Sequence, residues 1–243
     1  ELKIPRTTYQ RELNEDRVRR IAAEFDERIA NEPKVSCRDG RYYVFDGQHT
    51  IAARKLLNGG RDLPIRCKVF YGLTESDEAL LFAQQTGASA SLTAGAKFRA
   101  LVYGGDEDAM AFLKATEAVG LYVDYKQTRG AKRLACISTA FGLFQKVGGG
   151  VYREAMQAIV DAWKGDPDSL RAETVQGLVE FVDLYHGEYS RKRLVTRLRQ
   201  VDPVVIFREG RAMTSLPGYK RYLYQVYRIY NGSSAKTALP MKF

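Results

Sequence analysis

Within residues 13–30 the apolar side chains fall at 18, 21, 22, 25 and 29 with charged residues between them. That spacing predicts an amphipathic helix. Asn14 stands where an N-cap would, and Arg17 takes the place a capping-box Glu normally fills. Two β-rich runs, 33–38 and 41–45, flank Asp39-Gly40 and predict a hairpin. Asp46-Gly47 closes the second run, 50–58 reads as a short helix, and Gly59-Gly60 stops it. Residues 62–71 alternate as a further strand, and Thr74 can cap a helix over 75–85. Beyond this the period is helical: 92–103, 106–119, 131–147, 151–164, 169–185, 190–201 and 219–230. Residues 120–125 read as a short strand or extended linker, and Gly148-Gly149-Gly150 and Gly165-Asp166-Pro167 are breaks. The pattern is a small α/β unit followed by a helical one, with no internal repeat.

The chain has 243 residues, 45% hydrophobic and 28% charged, enough for a packed core. No apolar run approaches the roughly 20 residues of a membrane helix. The opening ELKIPRTTYQRELNEDRVRR has no apolar stretch like that of a signal peptide. These features predict a cytoplasmic protein with no membrane partner. Cys37, Cys67 and Cys136 are far apart and form no CxxC pair, so they read as reduced thiols. Two histidines are too few for a structural zinc, and His186, at a helix end before Gly187, reads as structural.

The net charge of +9 is unevenly placed. Residues 1–125 hold 18 Lys/Arg against 19 Asp/Glu, whereas residues 126–243 hold 20 against 10. A basic half points to a polyanionic partner, usually nucleic acid; the plain alternative is a soluble basic helical domain. In SRKRLVTRLRQ, the residues Leu194, Val195, Leu198 and Val201 share one helical face. Arg191, Lys192, Arg193, Arg197 and Arg199 are left as the nucleic-acid candidates, acting by counterion release. The five tyrosines of GYKRYLYQVYRIYN suit either base stacking or helical core spacing.

One stretch carries chemistry. VFDGQHTIAA, residues 44–53, passes from strand to turn to helix. Gly47 permits a tight turn, and the free N–H groups of a helix starting near residues 48–50 favour an anion. Gln48, His49 and Thr50 add side-chain donors, although the stretch fits neither the Walker nor the dinucleotide pattern. The competing reading has Asp46 and Thr50 capping the helix and His49 solvated.

The order of elements, with the segment RDGRYYVFDGQHTIAARKLLNGGRDLPIRCKVF, resembles the ParB/sulfiredoxin-like superfamily. It is similar to the DGQHR-motif branch of uncharacterised proteins from bacteria, phages and other mobile elements. The continuation GLTESDEALLFAQQTGASASLTAGAKFRA resembles the same branch. The likeness is densest over about residues 1–75 and looser to about 125. It implies an α+β chain: a ParB/sulfiredoxin-like nucleotide-binding domain at 1–90, a helical linker region at 91–125 and a basic, all-helical domain at 126–243.

The resemblance also implies a nucleotide, CTP, ATP or ADP with Mg, whose phosphates meet Gly47, Gln48 and His49, with Asp46 opening the turn. The residue after His49 is usually Arg in that branch and is Thr50 here. Arg is a paired, charge-assisted phosphate ligand, and Arg54, one turn later, is the candidate replacement. Gln85 is a further candidate near the pocket. The reductases of the superfamily need a cysteine in the turn, which this chain lacks.

The leading expectation is therefore a ParB-like, DNA-associated protein, a homodimer among its forms. A nuclease or phosphotransferase is the enzymatic alternative, with His49 as acid/base and Asp46, Glu12 or Glu15 as base or metal ligand. A module that binds partners without nucleotide is the third reading.

Overall fold

The computed structural model describes residues 1–5, 8–84, 92–233 and 238–243. Gln85 lies outside the described residues. The architecture is mixed α/β, with ten helices and a small sheet among the described residues. The chain separates into two compact units, Glu1–Asp106 and Glu107–Phe243. The stretch 91–125 contributes one helix to each.

In the first unit, strands β1 (Leu2–Lys3), β2 (Lys34–Arg38), β3 (Arg41–Asp46) and β4 (Lys68–Tyr71) form a sheet in the order β1-β3-β2-β4. Asp39-Gly40 makes the antiparallel β2–β3 hairpin, and β1 and β4 pair in parallel with β3 and β2. Only 68–71 of the strand expected over 62–71 is paired. Helix α1 (Glu15–Ala23) packs on α2 (Gln48–Leu57), and α3 (Glu75–Ala83) on α4 (Ala94–Tyr103). α1 starts as its sequence dictates, because the Asn14 carboxamide accepts the Arg17 N–H. It stops short of residue 30, where Asp26 accepts from the Arg28 N–H and forms a local turn instead. Thr74 and Asp77 form a full capping box on α3.

Tyr9, Phe45, Phe82 and Ala79 are buried together beneath α3, each large ring contributing about 1.5–3 kcal/mol. Beside them lies the fully buried Glu78 carboxylate. It accepts hydrogen bonds from the Tyr9 hydroxyl at 2.7 Å and from Arg38 Nε at 2.7 Å. Both of its oxygens are used, which is what permits a charge at that depth.

The second unit is not all-helical: β5 (Tyr122–Val123) pairs in parallel with β6 (Arg133–Leu134), so residues 131–136 precede the next helix. Its helices are α5 (Glu107–Glu117), α6 (Ile137–Trp163), α7 (Ala172–Leu184), α8 (Arg191–Leu198), α9 (Val204–Ala212) and α10 (Lys220–Asn231). The expected break at 148–150 survives as a kink within α6, where Gly148 takes φ 78° and ψ 162°. α9 is not among the helices expected from the sequence, because VVIFREG is too β-branched to read as helix.

Phe112 packs edge-on against Phe141 and Phe144, and Phe181 packs against Tyr185, Tyr189 and Tyr230. The tyrosines of α10 serve this core: Tyr230 is buried, and the Tyr227 hydroxyl donates to the Leu239 carbonyl. The three cysteines are free thiols, and burial pushes Cys136 up to about 12.

Candidate functional site

The turn between β3 and α2 is built around Gly47. Its φ of 94° belongs to the left-handed region, and a Cβ there would stand 2.9 Å from the Pro33 Cα. Both conditions require glycine. As the N-cap of α2, Gly47 has no side chain to bond the first-turn N–H groups, and among the described residues no other side chain caps them. The positive end of α2 is therefore left open. Thr50 lines the cleft in front of it without capping the helix.

His49 is 4% exposed, and its Nε2 accepts a hydrogen bond from the Asn14 backbone N–H at 3.2 Å. Accepting at Nε2 leaves the proton of a neutral ring on Nδ1, which becomes a donor. Burial first, then the positive charges of Arg11 and Arg17, push His49 down to about 4. At neutral pH this is an uncharged imidazole.

Gln48 is equally buried, at 3% exposed. Its Nε2 donates to the Arg11 carbonyl at 2.9 Å, while its Oε1 has no partner. Asp46 lines the same cleft, but its Oδ2 is held by Lys34 Nζ at 2.9 Å in a cross-strand pair.

The cleft's positive charge comes from an unexpected place. Arg11, just before α1, and Arg17, in its first turn, both line it. Among the described residues neither guanidinium has a carboxylate at ion-pair distance, and the Arg11 Nε is buried without a partner. Burial, followed by the repulsion of Arg17, lowers Arg11 below the usual guanidinium range, with Asp46 opposing.

The lead-in segment that carries Arg11 is fastened on both sides. Gln10 Nε2 donates to the Val44 carbonyl, Tyr9 is tied to Glu78, and Asn14 is tied to His49. Arg17 did carry a signal in the sequence, since an arginine stood where a capping-box acid was expected. Arg11 carried none.

Arg54 is turned elsewhere: its Nη1 meets Glu27 Oε1 at 2.8 Å, its guanidinium lies over Phe25, and it does not line the cleft. Glu12 and Glu15 are exposed and do not line the cleft either; Glu15 faces Arg19 at 3.8 Å. A larger, more apolar groove adjoins the cleft, sharing Gln48 and lined by Leu2, Leu13, Ile51, Leu63 and Ile65. Among the described residues no three His, Cys, Asp or Glu side chains converge as a metal site would require.

On α8 the basic residues are largely engaged. Arg193 donates from Nε to the Tyr230 carbonyl at 3.1 Å and from Nη2 to the Asn231 carbonyl at 2.8 Å, closing the end of α10. Arg199 donates to the Asp161 carbonyl, and Arg191 pairs with the Asp161 carboxylate. The Arg197 guanidinium lies against Gly232. Lys192 is exposed.

The chain belongs to a family of unknown function (DUF6551), whose profile matches residues 4–243. No curated protein and no solved structure matches it. Among the described residues no helix is long and apolar enough to cross a membrane.

Proposed function

We propose that this is a ParB-like, DNA-associated protein whose first unit binds a nucleotide through its phosphates at the N-terminus of α2. The observation that carries the reading is the pairing of an uncapped helix N-terminus with two arginines that have no carboxylate partner. The apolar groove sharing Gln48 offers a nucleoside somewhere to lie. Binding is favoured over turnover, because His49 is neutral with one nitrogen already used and Asp46 is paired with Lys34.

The excess charge of residues 126–243 supports a nucleic-acid role for the second unit, DNA being the favoured partner. Titration calorimetry with CTP, ATP and ADP in the presence of Mg²⁺ tests the first half: saturable binding of one is expected, and no binding of any refutes it. Binding of duplex DNA that weakens steeply with salt is the expected result for the second half.

A further inference from the structure

Resting on that reading, we infer that Arg11 and Arg17 are the charged ligands of the phosphate and that the cleft selects a terminal phosphate dianion over a phosphodiester. The turn itself supplies only partial charges, from the open N–H groups of α2 and the Thr50 hydroxyl, because the Gln48 amide donates to the Arg11 carbonyl. The position where a charged ligand would follow His49 holds Thr50, and the next candidate, Arg54, does not line the cleft: it is bound to Glu27 and lies over Phe25, although its Nε too is buried without a partner. Full positive charge reaches the cleft from the other wall, from the lead-in and first turn of α1.

Two features, one on each side of the cleft, indicate that it is built for a ligand. The Gln48 side chain is nearly completely buried with its Oε1 unpartnered, and the Arg11 Nε is likewise buried without an acceptor. Unpaired polar atoms of this kind cost about 1–3 kcal/mol each in a folded chain; a phosphate oxygen would accept from the Arg11 Nε–H, whereas Gln48 Oε1 needs a donor such as a nucleotide hydroxyl or amine. Arg11 is also held in place before any ligand arrives, because its carbonyl is fixed by Gln48 and its neighbour Gln10 by the sheet.

Charge decides the class of anion. Two guanidiniums without carboxylate partners face a site whose one acid, Asp46, is shared with Lys34. A dianion neutralises both, whereas a phosphodiester leaves one repelling the other. The His49 Nδ1–H supports this choice, since a neutral donor can serve a dianion without giving up a proton.

Calorimetry at pH 7.5 with Mg²⁺ compares CTP, ATP and ADP with their methyl esters at the terminal phosphate. The esters are expected to bind at least tenfold more weakly than whichever parent binds. Arg11→Ala and Arg17→Ala should each weaken the parent at least tenfold, and Arg11→Lys and Arg17→Lys by less. Far-UV circular dichroism checks that each variant is folded, and the Lys variants carry the test if an Ala variant is not. Equal affinity for ester and parent, or undiminished affinity in the arginine variants, overturns this inference and leaves nucleotide binding standing. Loss of binding in Arg54→Ala alone returns the clamp to α2 and also overturns it. A wild-type protein that binds none of the three nucleotides overturns the inference and the reading together.

Discussion

The two basic regions of this protein use arginine in opposite ways. On α8 the sequence is densely positive, yet Arg191, Arg193 and Arg199 give their donors to the Asp161 carboxylate, the α10 terminus and the Asp161 carbonyl. In the first unit, where acids and bases nearly balance, Arg11 and Arg17 stand without carboxylate partners beside an open helix end. Net charge counts cations; it does not say which of them are free to meet a ligand. The dense cluster is largely structural, and the sparse pair is what a small anion would find.

The largest test of this contrast is pH. His49 sits at about 4 in the fold against about 6.5 in an unfolded chain. As pH falls below 6.5 the unfolded state takes up the proton first. The stability that the neutral ring holds above 6.5 is therefore lost progressively down to about 4. Between pH 7.5 and 4.5 this amounts to about 2–3 kcal/mol for the first unit. Urea unfolding followed by circular dichroism should show that loss in wild type and a shallower one in His49→Gln. Identical pH slopes would mean that the fold does not hold His49 in its neutral form.

The next effect separates spent from unspent arginine directly. Arg193→Ala strands two carbonyls at the end of α10 and removes a cation lying over the Tyr230 ring. It should cost about 2 kcal/mol in the second unit. Arg11→Ala removes a half-buried cation that has no carboxylate partner among the described residues and should cost less than about 1 kcal/mol in the first. Thermal denaturation of both variants checks the order, and the reverse order would break the comparison. The smallest effect belongs to Lys192→Ala: unchanged stability, with the salt slope of DNA binding reduced by about one.

What the sequence revealed was local. Asn14 and Thr74 cap their helices, Asp39-Gly40 turns the hairpin, and Gly47 makes the bend before α2, because each signal acts within four residues of itself. What it hid was long-range. β1 and β6 are two residues each, too short for any period, and β1 pairs in parallel with a partner distant in the chain, Leu2 opposite Tyr42. Arg11 meets the turn at 46–50 only because Gln48 and His49 bond the backbone of the Arg11–Asn14 segment, a juxtaposition across more than 30 residues. The same limit applies on α8: amphipathic spacing separates the apolar face from the basic one but does not reveal that a basic face abuts the ends of other helices.

The buried trio of Tyr9, Arg38 and Glu78 bears on how such a chain can diverge. Losing the arginine leaves the Glu78 carboxylate in the core without its charged partner, and losing the carboxylate leaves the Tyr9 hydroxyl there without its acceptor, while Arg38 keeps Glu75 at 3.8 Å and the Tyr43 ring. Loss of the arginine alone is the costly step, so drift at Arg38 and Glu78 is expected to come as paired changes. Relatives should therefore keep the Arg38–Glu78 pair together or lose it together. Because Tyr9 lies two residues before Arg11, a lineage that loses the pair also resets the anchor behind its candidate anion ligand.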